Sequence, residues 1–239
     1  MSGLLEVLAL HPSDAARAEE GGADRICVVG SRADGGRSPE PALVEQIRDA
    51  TTIQVRVLLR LREGFGTDGG EVVRLRGLAA NYLEAGADGL VLGFLNGHGE
   101  VDREVIGALL SDGVWPWTFD RAVDAALDTD RAWRTLRTLP GLDQVHTAGS
   151  ARDVEHGLDD LIARARSDAA TARLIMAGGG LQAEHVPWLA RAGVRAFRID
   201  EAARPQGSWK AYVDPQLVGM WRSLIDSSLA HAQTGRDLP

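Results

Sequence analysis

Gln54-Val55-Arg56-Val57-Leu58-Leu59-Arg60-Leu61-Arg62 alternates in a way that decides the fold. Val55, Val57, Leu59 and Leu61 share one face of an extended chain. Gln54, Arg56, Leu58, Arg60 and Arg62 share the other. A strand with one apolar and one charged face cannot sit in an open parallel sheet covered on both sides, which demands near-continuous apolar runs. It suits a barrel, where one face of each strand meets helices and the other faces the lumen.

Other strands repeat the division. Leu5, Val7 and Ala9 oppose Glu6, Leu8 and Leu10. Trp115, Trp117 and Phe119 oppose Pro116, Thr118 and Asp120. Phe197 and Ile199 oppose Ala196, Arg198 and Asp200. The lumen is therefore expected to receive Glu6, Arg56, Arg60, Asp120, Arg198 and Asp200.

Working outward, eight short apolar runs alternate with longer amphipathic segments. Strands are expected near Leu4–Leu10, Arg25–Val29, Gln54–Leu59, Gly89–Leu92, Trp115–Phe119, Gln144–Thr147, Arg173–Met176 and Arg195–Ile199. Helical patterns fill Ser13–Glu20, Pro41–Asp49, Glu71–Glu84, Arg103–Leu110, Ala132–Leu139, Ala151–Ser167, Ala183–Ala192 and Pro215–His231. Eight strand–helix units close into a (β/α)8 TIM barrel. Gly21-Gly22-Ala23-Asp24, Ala85-Gly86-Ala87-Asp88 and Arg191-Ala192-Gly193-Val194 mark three helix-to-strand joints, where glycine fits the left-handed C′ position. The 239 residues match one such barrel and contain no linker or low-complexity tract, so residues 1–239 are read as a single domain.

Composition narrows the function classes. With 44% hydrophobic and 25% charged residues the chain is an ordinary globular one. Its formal net charge of −8 opposes nucleic acid or an anionic membrane surface as partner. No apolar run approaches the ~18 residues of a membrane span, and no secretory signal pattern precedes Leu4. Cys27 is the single cysteine, which rules out an internal disulfide and fits a cytoplasmic location.

The ordered motifs resemble the CutC family. They are Leu4-Leu5-Glu6, Gly22-Ala23-Asp24-Arg25, Gly35-Gly36-Arg37-Ser38-Pro39 and Arg60-Leu61-Arg62. Thr118-Phe119-Asp120-Arg121-Ala122-Val123-Asp124, Thr147-Ala148-Gly149 and Ile175-Met176-Ala177-Gly178-Gly179-Gly180 complete the series. The resemblance spans roughly residues 4 to 200 and implies a TIM barrel, a copper homeostasis label and an oligomer. The chain departs from the family where copper ligands would be sought. The neighbourhoods that commonly carry cysteines read Val7-Leu8-Ala9 and Cys27-Val28-Val29, and the usual His-Arg after the fifth strand is Asp120-Arg121. Thiolates and imidazoles suit Cu(I), and this set is poor in both, so no metal or other cofactor is expected.

The expected working site lies at the C-terminal mouth. Arg60 and Arg62 form either a two-guanidinium clamp for a carboxylate or phosphate, or counter-ions for a polar lumen. Glu6 is a general acid–base candidate or a counter-ion to Arg25 or Arg60. Asp120, on the lumen face, is a general base or a helix N-cap, with Asp124 a cap or a support beside it. Gly178-Gly179-Gly180 offers backbone N–H groups to a phosphate or makes a tight turn. The set is thus Glu6 and Asp120 for acid–base work, with Arg25, Arg60, Arg62, Arg121, Thr147, Gly178, Gly179, Gly180, Arg198 and Asp200 binding a small anionic molecule, phosphorylated or not. Thr147 is read toward the lumen and His146 toward the helices. His11 is read near the mouth, and His98, His156, His185 and His231 on the surface.

Two further segments carry expectations. Glu201 to Asp214 is long enough for a lid, with Trp209 over the mouth or else anchoring the last helix or a neighbouring subunit. Trp133, Trp188 and Trp221 lie on outer helices and suggest at least a homodimer through the exterior, or else core packing. Competing readings are a copper-binding protein and a phosphate-binding barrel isomerase or lyase. A Schiff-base reaction is disfavoured because the one lysine, Lys210, follows the last strand.

Overall fold

The computed structural model describes residues 3–31, 36–111, 113 and 115–234. Eight parallel strands close in sequence order: β1 (Leu4–Ala9), β2 (Arg25–Val28), β3 (Gln54–Leu58), β4 (Gly89–Leu92), β5 (Trp117–Phe119), β6 (Leu142–Thr147), β7 (Ile175–Ala177) and β8 (Ala196–Ile199), with β8 returning to β1. The outer layer contains α1 (Pro12–Glu20), α2 (Pro41–Asp49), α3 (Gly69–Glu84), α4 (Arg103–Leu109), α5 (Thr129–Leu136), α6 (Val154–Ser167), α7 (Ala169–Leu174), α8 (Val186–Ala192) and α9 (Pro215–Thr234). Gly35 of the second-loop motif lies outside the described residues.

The strand alternation produces two separate cores. Leu5, Val7, Val55, Val57, Trp117 and Phe119 belong to the large layer between strands and helices. Leu8, Cys27, Val29, Leu58 and Val91 form a second, smaller cluster inside the barrel, with Leu10 and Trp209 against it. Register stacks the lumen residues across neighbouring strands, Leu8 beside Cys27, Cys27 beside Arg56 and Leu58 beside Val91. The lumen is thus apolar at mid-height on β1 to β4. Gly22, Gly86 and Gly193 have φ of 88°, 91° and 110°, the left-handed conformation expected at the three helix-to-strand joints.

Three local expectations are corrected. β5 starts at Trp117, so Trp115 precedes the strand and is half-buried. Arg173 belongs to α7, not to the seventh strand. Asp168 breaks the preceding helix with extended backbone and caps α7 by accepting from Ala170 and Thr171 N–H. Between β5 and β6 the register shifts at Trp117/Thr118, which inserts Asp143 as an extra residue. Finally, Val145 belongs to the helix-facing core, so His146 points into the lumen and Thr147 outward, the reverse of the sequence reading.

Candidate ligand site at the C-terminal mouth

The lumen is charged in tiers. Near its N-terminal end, Arg25 donates to Glu6 at 2.5 Å and Arg56 to Asp143 at 2.5 Å. Arg25 also approaches Asp143 at 3.8 Å, and Arg198 approaches the second Glu6 oxygen at 3.5 Å. Arg198 continues the chain upward by donating from Nε to Asp200 at 2.9 Å. Buried charges require this kind of mutual neutralisation. Burial pulls the Arg56 guanidinium below its ordinary range, with Asp143 opposing. Burial also works against the charge on Arg198, but Asp200 and Glu6 more than offset it and raise its pKa.

Above these tiers a cavity of about 740 Å³ opens at the C-terminal ends of the strands. Its floor is apolar, with Leu8, Leu58 and Val91, and Trp209 lies beside it. Its polar wall carries Arg60, Asp120, Arg121, His146, Arg198 and Asp200. Arg60 ion-pairs with Asp120 and lies over the Phe65 ring at 4.7 Å. The other Asp120 oxygen accepts from Ala122 N–H at 2.8 Å, capping the short 3-10 turn Arg121–Ala125. Asp120 therefore caps the turn with one oxygen and pairs with Arg60 in the lumen with the other.

Arg121 is held on the rim. It donates to Asp124 at 2.9 Å and to the carbonyls of Ser150 and Arg152 at 2.9 and 3.1 Å. Asp124 also accepts from Thr147 Oγ1 at 2.5 Å and from Ala148 N–H at 2.9 Å. Burial nevertheless pushes its carboxyl above the usual range against these bonds.

Gly179 and Gly180 line the cavity in left-handed backbone, with φ of 88° and 73°. Their amide N–H groups have no acceptor among the described residues. A Cβ on Gly179 would lie 2.9 Å from Nη1 of Arg121, so glycine permits the close approach. Gly178 lies beneath, its N–H donated to the Thr147 carbonyl.

Not every expected residue joins this cavity. Glu6 and Arg25 are sealed below it in the lower tier, where they neutralise each other and do not line the mouth. Arg62 is exposed beyond the end of β3 and pairs with Asp68 and Glu71, so it forms no clamp with Arg60. Thr147 faces away, bound to Asp124. His11 is exposed and packs edge-on to Tyr212 at 5.6 Å. His185, expected on the surface, is buried: Nδ1 accepts from Gln182 N–H at 3.1 Å and Nε2 meets Glu155 at 2.8 Å.

Sequence reasoning missed His146. It is 4% exposed and lines the cavity, and its Nε2 has no hydrogen-bond partner. Desolvation and the guanidinium charges of Arg198, Arg121, Arg60 and Arg25 hold its pKa well below the ordinary range, so the imidazole is neutral. The available signal was Val145, the apolar residue of the run, whose place in the helix-facing layer turns His146 inward.

The segment after β8 reaches back over the lumen. Arg204 is buried and donates to Asp14 at 2.9 Å and to the Ala211 carbonyl at 2.7 Å. Its guanidinium lies 4.8 Å from the Trp209 ring centre. Asp14 also accepts from Val213 N–H at 2.9 Å, so α1 anchors the whole segment that carries Trp209.

A family model described as the CutC family matches residues 4–202. A CutC family protein from Klebsiella pneumoniae (strain 342) is 33% identical over 211 residues, covering 86% of this chain and 81% of the relative. The human copper homeostasis protein cutC homolog is 35% identical over 183 residues, covering 74% of this chain and 65% of the relative. The solved structure of CutC from Streptococcus agalactiae superposes with a TM-score of 0.74 at 25% identity, covering 82% of this chain and 97% of that one. Thiamine phosphate pyrophosphorylase from Pyrococcus furiosus, at 16% identity, a TM-score of 0.59 and coverage of 95% and 96%, shares the fold alone.

Proposed function

The chain belongs to the CutC family, and on that footing we propose that its C-terminal mouth binds a small anionic molecule. The observation that carries this reading is the placement of two buried guanidiniums, Arg60 and Arg198, on the wall of one cavity with the unengaged amides of Gly179 and Gly180. Guanidinium forks and paired backbone N–H groups are complementary to a carboxylate or phosphate. Asp120 and Asp200 hold the two arginines in position, and the apolar floor receives the body of the molecule. Asp120, with one oxygen on Arg60 and the other on a backbone N–H, is a positioning residue in this reading.

The copper in some relatives' names does not fit this chain's donor set. Cys27 is the one thiol; burial among Leu8, Val29, Leu58 and Val91 pushes it up to about 12. A thiolate is the form that binds Cu(I), and such a thiol resists forming it. His146 lies in a field of guanidiniums that repels a cation. Among the described residues, Glu155, Glu184 and His185 form the one His–carboxylate cluster, and both nitrogens of His185 are engaged within the protein. A Schiff-base lyase is disfavoured too, because Lys210 is exposed in the segment after β8.

We infer further that the chain works in the cytoplasm, as one barrel domain and as a homodimer. The single cysteine supports a reducing compartment, and no described helix is long and apolar enough to cross a membrane. Titration of the protein with inorganic phosphate and sulfate, followed by NMR and by crystal soaking, tests the site. Binding weakened about tenfold or more in Arg60→Gln and Arg198→Gln is the expected result, since hydrogen bonds to charged groups contribute about 1.5–3 kcal/mol. Anion affinity equal to wild type in both variants would overturn it.

A further inference from the structure

We propose that the anion taken by this site is a phosphate monoester, and that Arg121 is its third guanidinium, closing a cradle at the rim with the amides of Gly179 and Gly180. The inference rests on the anion reading above and deepens it, from a small anion to a small phosphorylated molecule.

The run Gly178-Gly179-Gly180 brings the charges together. A Cβ on Gly178 would lie 3.0 Å from Cβ of Arg198, and one on Gly179 would lie 2.9 Å from Nη1 and 3.1 Å from Cζ of Arg121. Two arginines thus approach neighbouring residues of one backbone segment, and only hydrogen at these positions admits them. Arg121 is fixed before any ligand arrives. Its Nε donates to Asp124 and its Nη2 to the carbonyls of Ser150 and Arg152, which leaves Nη1 without an acceptor among the described residues. The side chain is 27% exposed and lines the cavity, so a ligand reaches it. A guanidinium held in this way loses little further rotamer freedom on binding.

The carboxylates of the rim do not cancel this charge. Asp124 accepts from Thr147 Oγ1 and Ala148 N–H as well as from Arg121, and burial pushes its carboxyl toward the neutral form. Asp153, beside Gly180, is engaged in capping α6: it accepts from His156 N–H at 3.0 Å and meets the ring Nδ1 at 2.6 Å. The number of donors then selects the ligand. A carboxylate has two oxygens and one charge, which Arg60 and Arg198 suffice to meet. A phosphate monoester has three terminal oxygens and close to two charges at neutral pH, and it alone uses the further donors of Arg121, Gly179 and Gly180. The cavity of about 740 Å³ lies in the range of small-molecule sites, about 300–1,000 Å³, so the organic part of the ester fits over the apolar floor.

Methyl phosphate and acetate differ in the acidic group and share a methyl, so the ratio of their dissociation constants isolates the cradle. Both are titrated by NMR at about pH 7.5, where the phosphoryl group carries close to two charges. Wild-type protein, Arg121→Gln and Arg121→Lys are compared, with thermal melting to verify folding. Wild-type protein should hold methyl phosphate about tenfold more tightly than acetate, the size of one hydrogen bond to a charged group. That preference should fall to about twofold or less in Arg121→Gln and be partly kept in Arg121→Lys, which retains the charge without the fork. The amide protons of Gly179 and Gly180 in wild type should shift with methyl phosphate more than with acetate. If Arg121→Gln does not fold, the wild-type preference and these glycine shifts decide. An equal preference in wild type and Arg121→Gln, no preference in wild type, or glycine amides unmoved by methyl phosphate overturns the cradle and leaves an anion on Arg60 and Arg198. Affinities for both ligands that ignore Arg60→Gln and Arg198→Gln overturn the anion reading itself, and this inference with it.

Discussion

The Arg56 guanidinium fills the space that a side chain at Gly89 would need: a Cβ on Gly89 would lie 2.5 Å from Nη1 of Arg56. The two residues are paired across β3 and β4, and the guanidinium needs that gap to cross the lumen to Asp143 on β6. The Pro116 carbonyl, closer still to the same Cβ position, closes the other side.

Gly89→Ala should therefore destabilise the barrel by about 3 kcal/mol, at the upper end of ordinary overpacking because backbone and a buried charge both stand in the way. For a chain of this length that corresponds to a melting temperature lower by about 6–12 °C. A circular-dichroism melt measures it. A loss below about 2 °C would mean that Arg56 moves aside at little cost and that its pair with Asp143 is loose.

The same tier shows what was legible in the sequence. Strand parity placed Glu6, Arg56, Arg60, Asp120, Arg198 and Asp200 in the lumen, because one-sided apolarity leaves no other choice. Depth was harder to read, since parity says which face and not which height. Glu6 is the third residue of β1 and Arg25 the first of β2, so both fall below the mouth. Arg62 was lost because β3 ends at Leu58 and the local carboxylates of Asp68 and Glu71 capture it. His146 was misplaced because Thr147 was read toward the lumen; Val145 in the helix-facing core fixes the opposite phase.

That buried, neutral imidazole should leave a signature in acid. The folded-state pKa of His146 is depressed and the unfolded value is ordinary, so below about pH 6.5 the unfolded chain binds a proton that the folded chain refuses. Stability is fully present above that pH and declines as pH falls toward the folded pKa, by up to about 1.4 kcal/mol per unit. Asp124 acts in the opposite sense, because its raised pKa makes the folded state hold a proton more tightly on acidification. Urea unfolding of wild type and His146→Leu at pH 7.5 and 5.5 removes that common term by subtraction. The variant should lose about 1 kcal/mol less than wild type over the interval. Parallel losses would show that His146 titrates normally in the fold.

Copper binding provides a separate check on the lumen. Cu(I) titration against a competing chelator should reveal no stoichiometric site, and Cys27→Ser should leave the weak residual binding as it is, given a buried thiol pushed up to about 12. One equivalent of tightly held Cu(I), lost in Cys27→Ser, would establish that the lumen opens to the metal and would return the chain to the role in its relatives' names.

Assembly is tested by the outer tryptophans, which the structure divides. Trp133 is buried at 4% exposure with Arg164 over its ring at 5.3 Å, and Trp221 is partly buried against the core, so both serve the barrel. Trp188 on α8 is 53% exposed, and Met220 on the neighbouring α9 is 68% exposed. Helices α8 and α9 pack together, so these side chains belong to adjoining parts of the exterior, and neither lines the cavity. Aromatic residues and methionine are enriched where subunits meet, and a two-fold pairing would set this surface against its own copy. Light scattering over a dilution series should give twice the 25.6 kDa of one chain. Trp188→Arg with Met220→Glu should shift the mass to that of a single chain while phosphate binding at the mouth persists. A monomer mass for the wild type at every concentration, or a dimer unaffected by the double substitution, would place the contact elsewhere or remove it.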